Sequence, residues 1–238
     1  MTSKQKAVVL ASGGLDSSAA LACAVRDYDV QRAIFVNYGQ LAFKMEATAV
    51  TGLAWHYKIE VSDVKLPFYA DICGDLAIIR AQRSTDFAEA APVDSELLDL
   101  AEVWIPNRNA VIVSIGAAIA ESLECDVVVA GFNAQEAEAF PDNSREFVSR
   151  INRLLEVSTL SDVKLVCPLI DMSKSEVLKT AVELNVPLEY IYSCYLGYEK
   201  MCGQCMSCMN LKGALNDLPV SDLKFAKAAA AINKRFQQ

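Results

Sequence analysis

Short unbroken apolar runs alternate along the chain with longer segments whose apolar residues recur at helical spacing. Residues 6–12, KAVVLAS, and 32–38, RAIFVNY, are such runs, and each predicts a strand covered on both faces. Ser17 to Arg26 between them has helical spacing, FKMEATAVTGLA (43–54) predicts a helix, and YKIEVSDV (57–64) predicts a strand. This β-α-β-α-β opening predicts an α/β fold built on a doubly wound parallel sheet. The pattern lapses from Leu66 to Glu102, where Pro67, Gly74 and Pro92 stand among scattered charges. We expect a long excursion there, a candidate lid. Regularity returns with a helix over Asn109 to Leu123, a strand over Asp126 to Gly131, a helix over residues 144–158 and a strand over residues 163–169. A further helix follows, in which Ser173 and Glu176 make a capping box. After Pro187 the pattern breaks into a cysteine-rich segment, then closes with an alanine-rich helix from about Ser221. The reading therefore divides the chain into a domain over residues 1–186 and a segment, 187–238, packed on it.

Composition narrows the class of protein. At 238 residues and 53% hydrophobic content the chain can bury a full core. The 22 basic against 30 acidic residues give a net charge of -8, which opposes sequence-independent binding to a phosphate backbone, and no dense Lys/Arg cluster offsets it. Nucleic acid is therefore not an expected partner. No apolar run reaches the roughly 20 residues a membrane span needs, and the first residues lack the apolar stretch of a secretory signal. A cytoplasmic enzyme is the expectation, with its eight cysteines reduced or bound to metal rather than paired.

The candidate chemistry begins where the first strand ends. Leu10, Ala11, Ser12, Gly13, Gly14, Leu15, Asp16, Ser17, Ser18, Ala19 and Ala20 run from a strand through a glycine turn into a helix. Such a turn presents successive backbone N–H groups at a helix N-terminus, where they can grip an anion. An ordinary capped turn would use the same residue types. Neither the lysine-ended phosphate loop nor G-x-G-x-x-G is present. Residues 12–17, SGGLDS, instead resemble the SGGxDS signature of the PP-loop ATP pyrophosphatases, which split ATP into AMP and pyrophosphate. That resemblance implies ATP as co-substrate, phosphate contacts from Ser12, Gly13, Gly14 and Ser17, and Asp16 holding Mg²⁺ or ordering the loop.

A second constellation lies near the other end. Cys194, Cys202, Cys205 and Cys208 form C-x7-C-x2-C-x2-C, a spacing suited to all-thiolate Zn²⁺, with an iron–sulfur cluster as the alternative. Four protein ligands leave no open position, so the metal is expected to be structural. Cys23, Cys73, Cys125 and Cys167 sit in apolar surroundings and are expected to be buried in the core.

The two motifs together resemble the 7-cyano-7-deazaguanine synthase family over nearly the whole chain. Supporting stretches are Tyr38-Gly39-Gln40, Pro106 to Asn109, Gly131 to Asn133, Pro141-Asp142, Glu146-Phe147, Pro168-Leu169, Lys174 and Ser193 to Tyr195. The resemblance implies a ligase that converts 7-carboxy-7-deazaguanine and ammonia to the nitrile through adenylated intermediates. It further implies Arg108 and Lys174 as catalytic residues beside Asp16 and Ser17, with Tyr38, Gln40, Asn109, Asn133, Asp142 and Glu146 facing the deazapurine. A homodimer is also implied, with free ammonium or a partner supplying nitrogen. The chain departs from the family where substrate should be recognised: Ala137-Glu138-Ala139 replaces an aromatic-serine-glycine run, and Asn143-Ser144 replaces a Cys-Arg pair, leaving Arg145 as the candidate replacement guanidinium. No basic residue stands at 41–43, after Gln40. A PP-loop paralogue adenylating a different carboxylate is the alternative reading. A tRNA-modifying enzyme and a non-catalytic nucleotide-binding protein are the readings from other classes.

Overall fold

The computed structural model describes residues 4–74, 76, 78–79 and 100–236. Strand β1 (Lys6–Leu10) turns Ala7 and Val9 to one face and Val8 and Leu10 to the other, and all four are buried. Burial on both faces is why the run is apolar without alternation. Helix α1 (Leu15–Asp27), β2 (Asp29–Asn37), α2 (Phe43–Tyr57) and β3 (Val61–Lys65) complete the first half. Then come the short helices α3 (Phe68–Ile72) and α4 (Leu100–Val103), α5 (Arg108–Ser122), β4 (Val127–Val129), α6 (Ala134–Ala139) and α7 (Arg145–Ser158). The chain continues through β5 (Lys164–Val166), α8 (Lys174–Glu183), α9 (Met206–Asn216) and α10 (Leu223–Asn233).

The five strands are all parallel, in the order β3-β2-β1-β4-β5. Chain order reverses between β1 and β4, so the loops after these two strands diverge and leave a crevice at their carboxyl ends. Helices α1, α2 and α8 cover one face of the sheet, and α5 and α7 the other. The expected doubly wound α/β architecture is the one observed.

Residues Leu100–Ser122 are the one stretch, among the described residues, long and apolar enough to cross a membrane by length and composition. The chain breaks within it at Trp104–Asn107, where Asn107 has φ +58°, and α5 buries Val113, Ala117 and Ala120 against the sheet. Around α3, Tyr69 and Cys73 pack with Ile78, Ile79, Val103 and Ile105 in a separate small core. Most of the candidate lid, residues 80–99, lies outside the described residues.

Beyond Pro187 the chain joins the main core. Cys205, Cys208, Leu211 and Leu215 from the α9 region and Ala228 and Ile232 from α10 belong to the apolar cluster that contains α1 and α8. The alanine-rich helix thus buries Ala228 and Ile232 within its own chain. The hydrophobic pattern did not predict α9, because that helix starts inside the cysteine cluster.

Candidate active site and metal centre

The glycine turn sits at the crevice. Gly13 has φ +77°, and a Cβ placed there would lie 2.5 Å from Ala49 Cβ and 3.1 Å from the Glu46 carbonyl oxygen. Only glycine lets the turn rest this closely on α2. Gly14 is the N-cap of α1 and brings no side chain, so the first-turn N–H groups are left for other acceptors. One is taken: Leu15 N–H donates to Ser193 Oγ at 3.2 Å. Tyr192 N–H donates to Gly13 O at 2.8 Å, so residues just before Cys194 grip both sides of the turn. Gly131, after β4, packs against the start of α1, where a Cβ would fall 2.7 Å from the Asp16 carbonyl carbon.

A cavity of about 270 Å³ opens here, bounded by the carboxyl ends of β1, β2 and β4. Ser12, Gly14, Asp16 and Ser17 form its floor, Tyr38 and Glu46 one wall, and Arg108, Asn109, Glu136 and Asp142 another. Trp104 and Phe140 also line it, with ring planes 8° apart and centroids 6.0 Å apart. Lys174, 3% exposed, lies just behind: Nζ donates to Asp16 Oδ2 at 2.5 Å and to Glu136 Oε1 at 3.1 Å. Burial works against its charge, but Asp16 and Glu136 overcome that cost and hold the ammonium above the ordinary lysine value. The other Asp16 oxygen, Oδ1, is buried and has no hydrogen-bond partner, leaving an acceptor that fits a Mg²⁺ ion or its water.

Several expected site residues take other places. Ser18, Ala19 and Ala20 are buried in the core, with Ser18 Oγ donating to Gly14 O, so the cavity-lining stretch ends at Ser17. Gly13 shapes the turn without lining the cavity. Asn133 is fully buried as the N-cap of α6, accepting from Glu136 N–H. Gln40 does line the cavity, but its amide is engaged internally: Oε1 accepts from Tyr38 N–H, and Nε2 donates to Val36 O and to Glu46. Glu146 accepts from Arg150 Nε on the outside of α7, because the buried stripe of that helix runs through Ile151 and Leu155. Arg145 likewise pairs with Asp171 in solvent and does not enter the cavity. Arg108, Asn109, Tyr38 and Asp142 do converge: Arg108 donates to the Tyr38 hydroxyl at 3.3 Å and to Asn109 Oδ1 at 3.3 Å, and Asn109 Nδ2 reaches Asp142 O at 3.5 Å.

Two acids were missed. Glu136 stands three residues after the N-cap Asn133, a spacing that marks a helix start. Glu46 is a single acid on the inward side of α2, between the buried Ala42, Ala49 and Val50, and that isolation was its signal.

In the cysteine cluster, the four Sγ atoms lie within 4.8 Å of one another, with Cys202 Sγ and Cys208 Sγ 3.9 Å apart. A tetrahedral ion at about 2.3 Å from each sulfur would separate them by about 3.8 Å, so the donor set fits one metal ion. Backbone N–H groups of Leu196 and Cys202 point at Cys194 Sγ, and those of Gln204 and Cys205 at Cys202 Sγ, which favours thiolate charge. Cys23, Cys73, Cys125 and Cys167 are buried away from this group.

Residues 6–218 match the model of the family described as Queuosine biosynthesis protein QueC. The chain is 39% identical over 222 residues to the 7-cyano-7-deazaguanine synthase of Methanosarcina barkeri, covering 91% of this chain and 96% of that one. It is 41% identical over 213 residues to the enzyme of the same name from Carboxydothermus hydrogenoformans, covering 88% and 98%. Among solved structures, a U34-tRNA thiolase from Methanococcus maripaludis aligns with TM-score 0.48 and 18% identity over 99% of this chain and 75% of that one.

Proposed function

The chain belongs to the QueC family of queuosine biosynthesis proteins, and from that membership we propose that it converts 7-carboxy-7-deazaguanine and ammonia to 7-cyano-7-deazaguanine at the expense of ATP. The observation that carries the reading is the uncapped α1 N-terminus opening into a cavity that also holds Arg108, Asn109 and Asp142. ATP would place its phosphates on the N–H groups that follow Gly14, and Ser12 and Ser17 would add hydroxyl donors. Attack of the substrate carboxylate on the α-phosphorus then releases pyrophosphate, whose growing charge these dipoles stabilise. Asp16 Oδ1 is the proposed Mg²⁺ acceptor, while Lys174 fixes the other oxygen so that the carboxylate cannot turn away.

Ammonia attacks the adenylated carboxyl to give the amide and AMP. A second adenylation on the amide oxygen, followed by loss of AMP and two protons, gives the nitrile. Arg108 and Asn109, which line the cavity, are the proposed holders of the deazapurine, with Trp104 and Phe140 offering flat surfaces in the same cavity. Zinc is the proposed metal for the four cysteines. Its chemistry there is structural, tying residues 194–208 together. Two copies of the chain are the proposed assembly.

The test is direct: purified protein, ATP, Mg²⁺, ammonium and 7-carboxy-7-deazaguanine should yield the nitrile by mass spectrometry together with AMP and pyrophosphate. ATP consumption dependent on a different carboxylate, with no nitrile formed, would refute the substrate assignment.

A further inference from the structure

Among the described residues, four carboxylates line the cavity, and they are held differently. Asp16 and Glu136 share the Lys174 ammonium. Asp142 Oδ1 accepts from Asn143 Nδ2 at 3.2 Å, and its carboxyl feels the Arg108 charge. Glu46 has a neutral partner only: Gln40 Nε2 donates to its Oε2 at 2.8 Å. Among the described residues its Oε1 takes no hydrogen bond, and no cation lies within ion-pair distance. Gln40 is itself locked by Tyr38 N–H and Val36 O, so the amide fixes the carboxylate with one oxygen spoken for and one on offer. Through the contact between its own carbonyl and Gly13, Glu46 stands beside the phosphate turn.

The charged and titratable groups that act on this carboxyl are Arg108 from α5, Tyr38 after β2 and Tyr192 after α8. Burial pushes Glu46 up to about 7, against the pull of the Gln40 hydrogen bond and the Arg108 charge. A carboxyl titrating there can both take a proton and return it near neutral pH.

We propose that Glu46 is the proton acceptor for the nitrogen nucleophile, its free Oε1 taking a proton from an ammonium ion that has entered the cavity. The inference rests on the ligase reading above. An N–H bond of ammonium breaks and its proton moves to Glu46; the freed lone pair forms the C–N bond at the adenylated carbon. Collapse of the adduct breaks the C–O bond to AMP, which leaves as the phosphate anion, and the surplus proton on nitrogen departs to water. Adenylation itself needs no such base.

The experiment uses the full-length protein and Glu46→Gln in three assays. Substrate-dependent exchange of labelled pyrophosphate into ATP requires no ammonia and should stay within about ten-fold of wild type. Ammonium-dependent amide and nitrile formation should fall by about 10²–10⁴-fold, the ordinary contribution of a positioned base. Hydroxylamine, uncharged near neutral pH, should bypass the defect and give hydroxamate at a rate close to wild type. The proposal is overturned if ammonium turnover in the variant stays within about three-fold of wild type, if hydroxylamine fails as badly as ammonium, or if exchange is lost along with amination. A wild-type protein that shows no pyrophosphate exchange would overturn the parent reading, and this inference with it.

Discussion

Gly13→Ala is the sharpest perturbation the glycine turn offers. At φ +77° an L-residue costs roughly 1–2 kcal/mol, and the new methyl would meet Ala49 Cβ at 2.5 Å. Overpacking of that kind adds roughly 1–3 kcal/mol, while the stiffer unfolded chain returns under about 1 kcal/mol. We expect a net loss of about 2–4 kcal/mol by urea unfolding. Ala49→Gly in the same protein should recover part of it, because it removes the nearest atom. It cannot recover all, since the backbone conformation and the Glu46 carbonyl at 3.1 Å remain. The four proteins of the cycle should show a coupling of about 1–2 kcal/mol. ATP should stabilise wild type more than Gly13→Ala, because moving off α2 tilts the donors that follow Gly14. Additive costs, within about 0.5 kcal/mol, would refute the claim that the turn is seated on Ala49.

Other outcomes follow from the same geometry. Lys174→Met leaves Asp16 and Glu136 buried without their cation and should cost about 3–5 kcal/mol at neutral pH by denaturant titration, with part regained on adding Glu136→Gln. Cys205→Ser should lower bound zinc from about one per chain to a minor fraction by metal analysis and depress pyrophosphate exchange as well; unchanged zinc content would remove the ligand assignment. The Glu46 carboxyl is raised on folding, so its contribution is intact below its ordinary value near 4.5 and is lost as pH rises through about 7. Wild type should therefore lose up to about 3 kcal/mol relative to Glu46→Gln across that window, measured as the difference between their unfolding free energies; parallel pH curves would contradict it.

The sheet was readable in the sequence because burial on both faces leaves nothing but apolar residues in strands such as VVL at 8–10 and VVV at 127–129. The glycine turn and the grouping of the four cysteines were readable because each is carried by residues close together in sequence. What escaped was whatever depended on direction. Glu146 and Arg145 carry suitable groups, but the inward side of α7 is set by Ile151 and Leu155, and the helix turns both charges to solvent. Gln40 lines the cavity, but its amide serves Glu46, and only the three hydrogen bonds together reveal that. Helix α9 was hidden because it starts at Cys205, whose side chain makes no capping hydrogen bond, with Cys208 in its first turn.

The two readable motifs lie nearly two hundred residues apart, yet the fold makes them one device. Cys194 is flanked by the residues that touch the phosphate turn: Tyr192 donates to Gly13 O, Ser193 accepts from Leu15 N–H, and Tyr195 lines the cavity. Ser207, at the start of α9 between Cys205 and Cys208, lines it too. An ion joining these cysteines removes conformational freedom from a stretch that, between Pro187 and α9, has no regular secondary structure of its own. The turn needs that support, since an N-cap without a side chain leaves its geometry to be set by neighbours. A metal with no open coordination position can thus govern catalysis by fixing the acceptors and donors around Gly13 and Leu15. Loss of the proposed zinc should therefore weaken ATP binding before it unfolds the sheet, because the face formed by Val8, Leu10, Val128 and Leu165 packs in a cluster that contains none of residues 194–208.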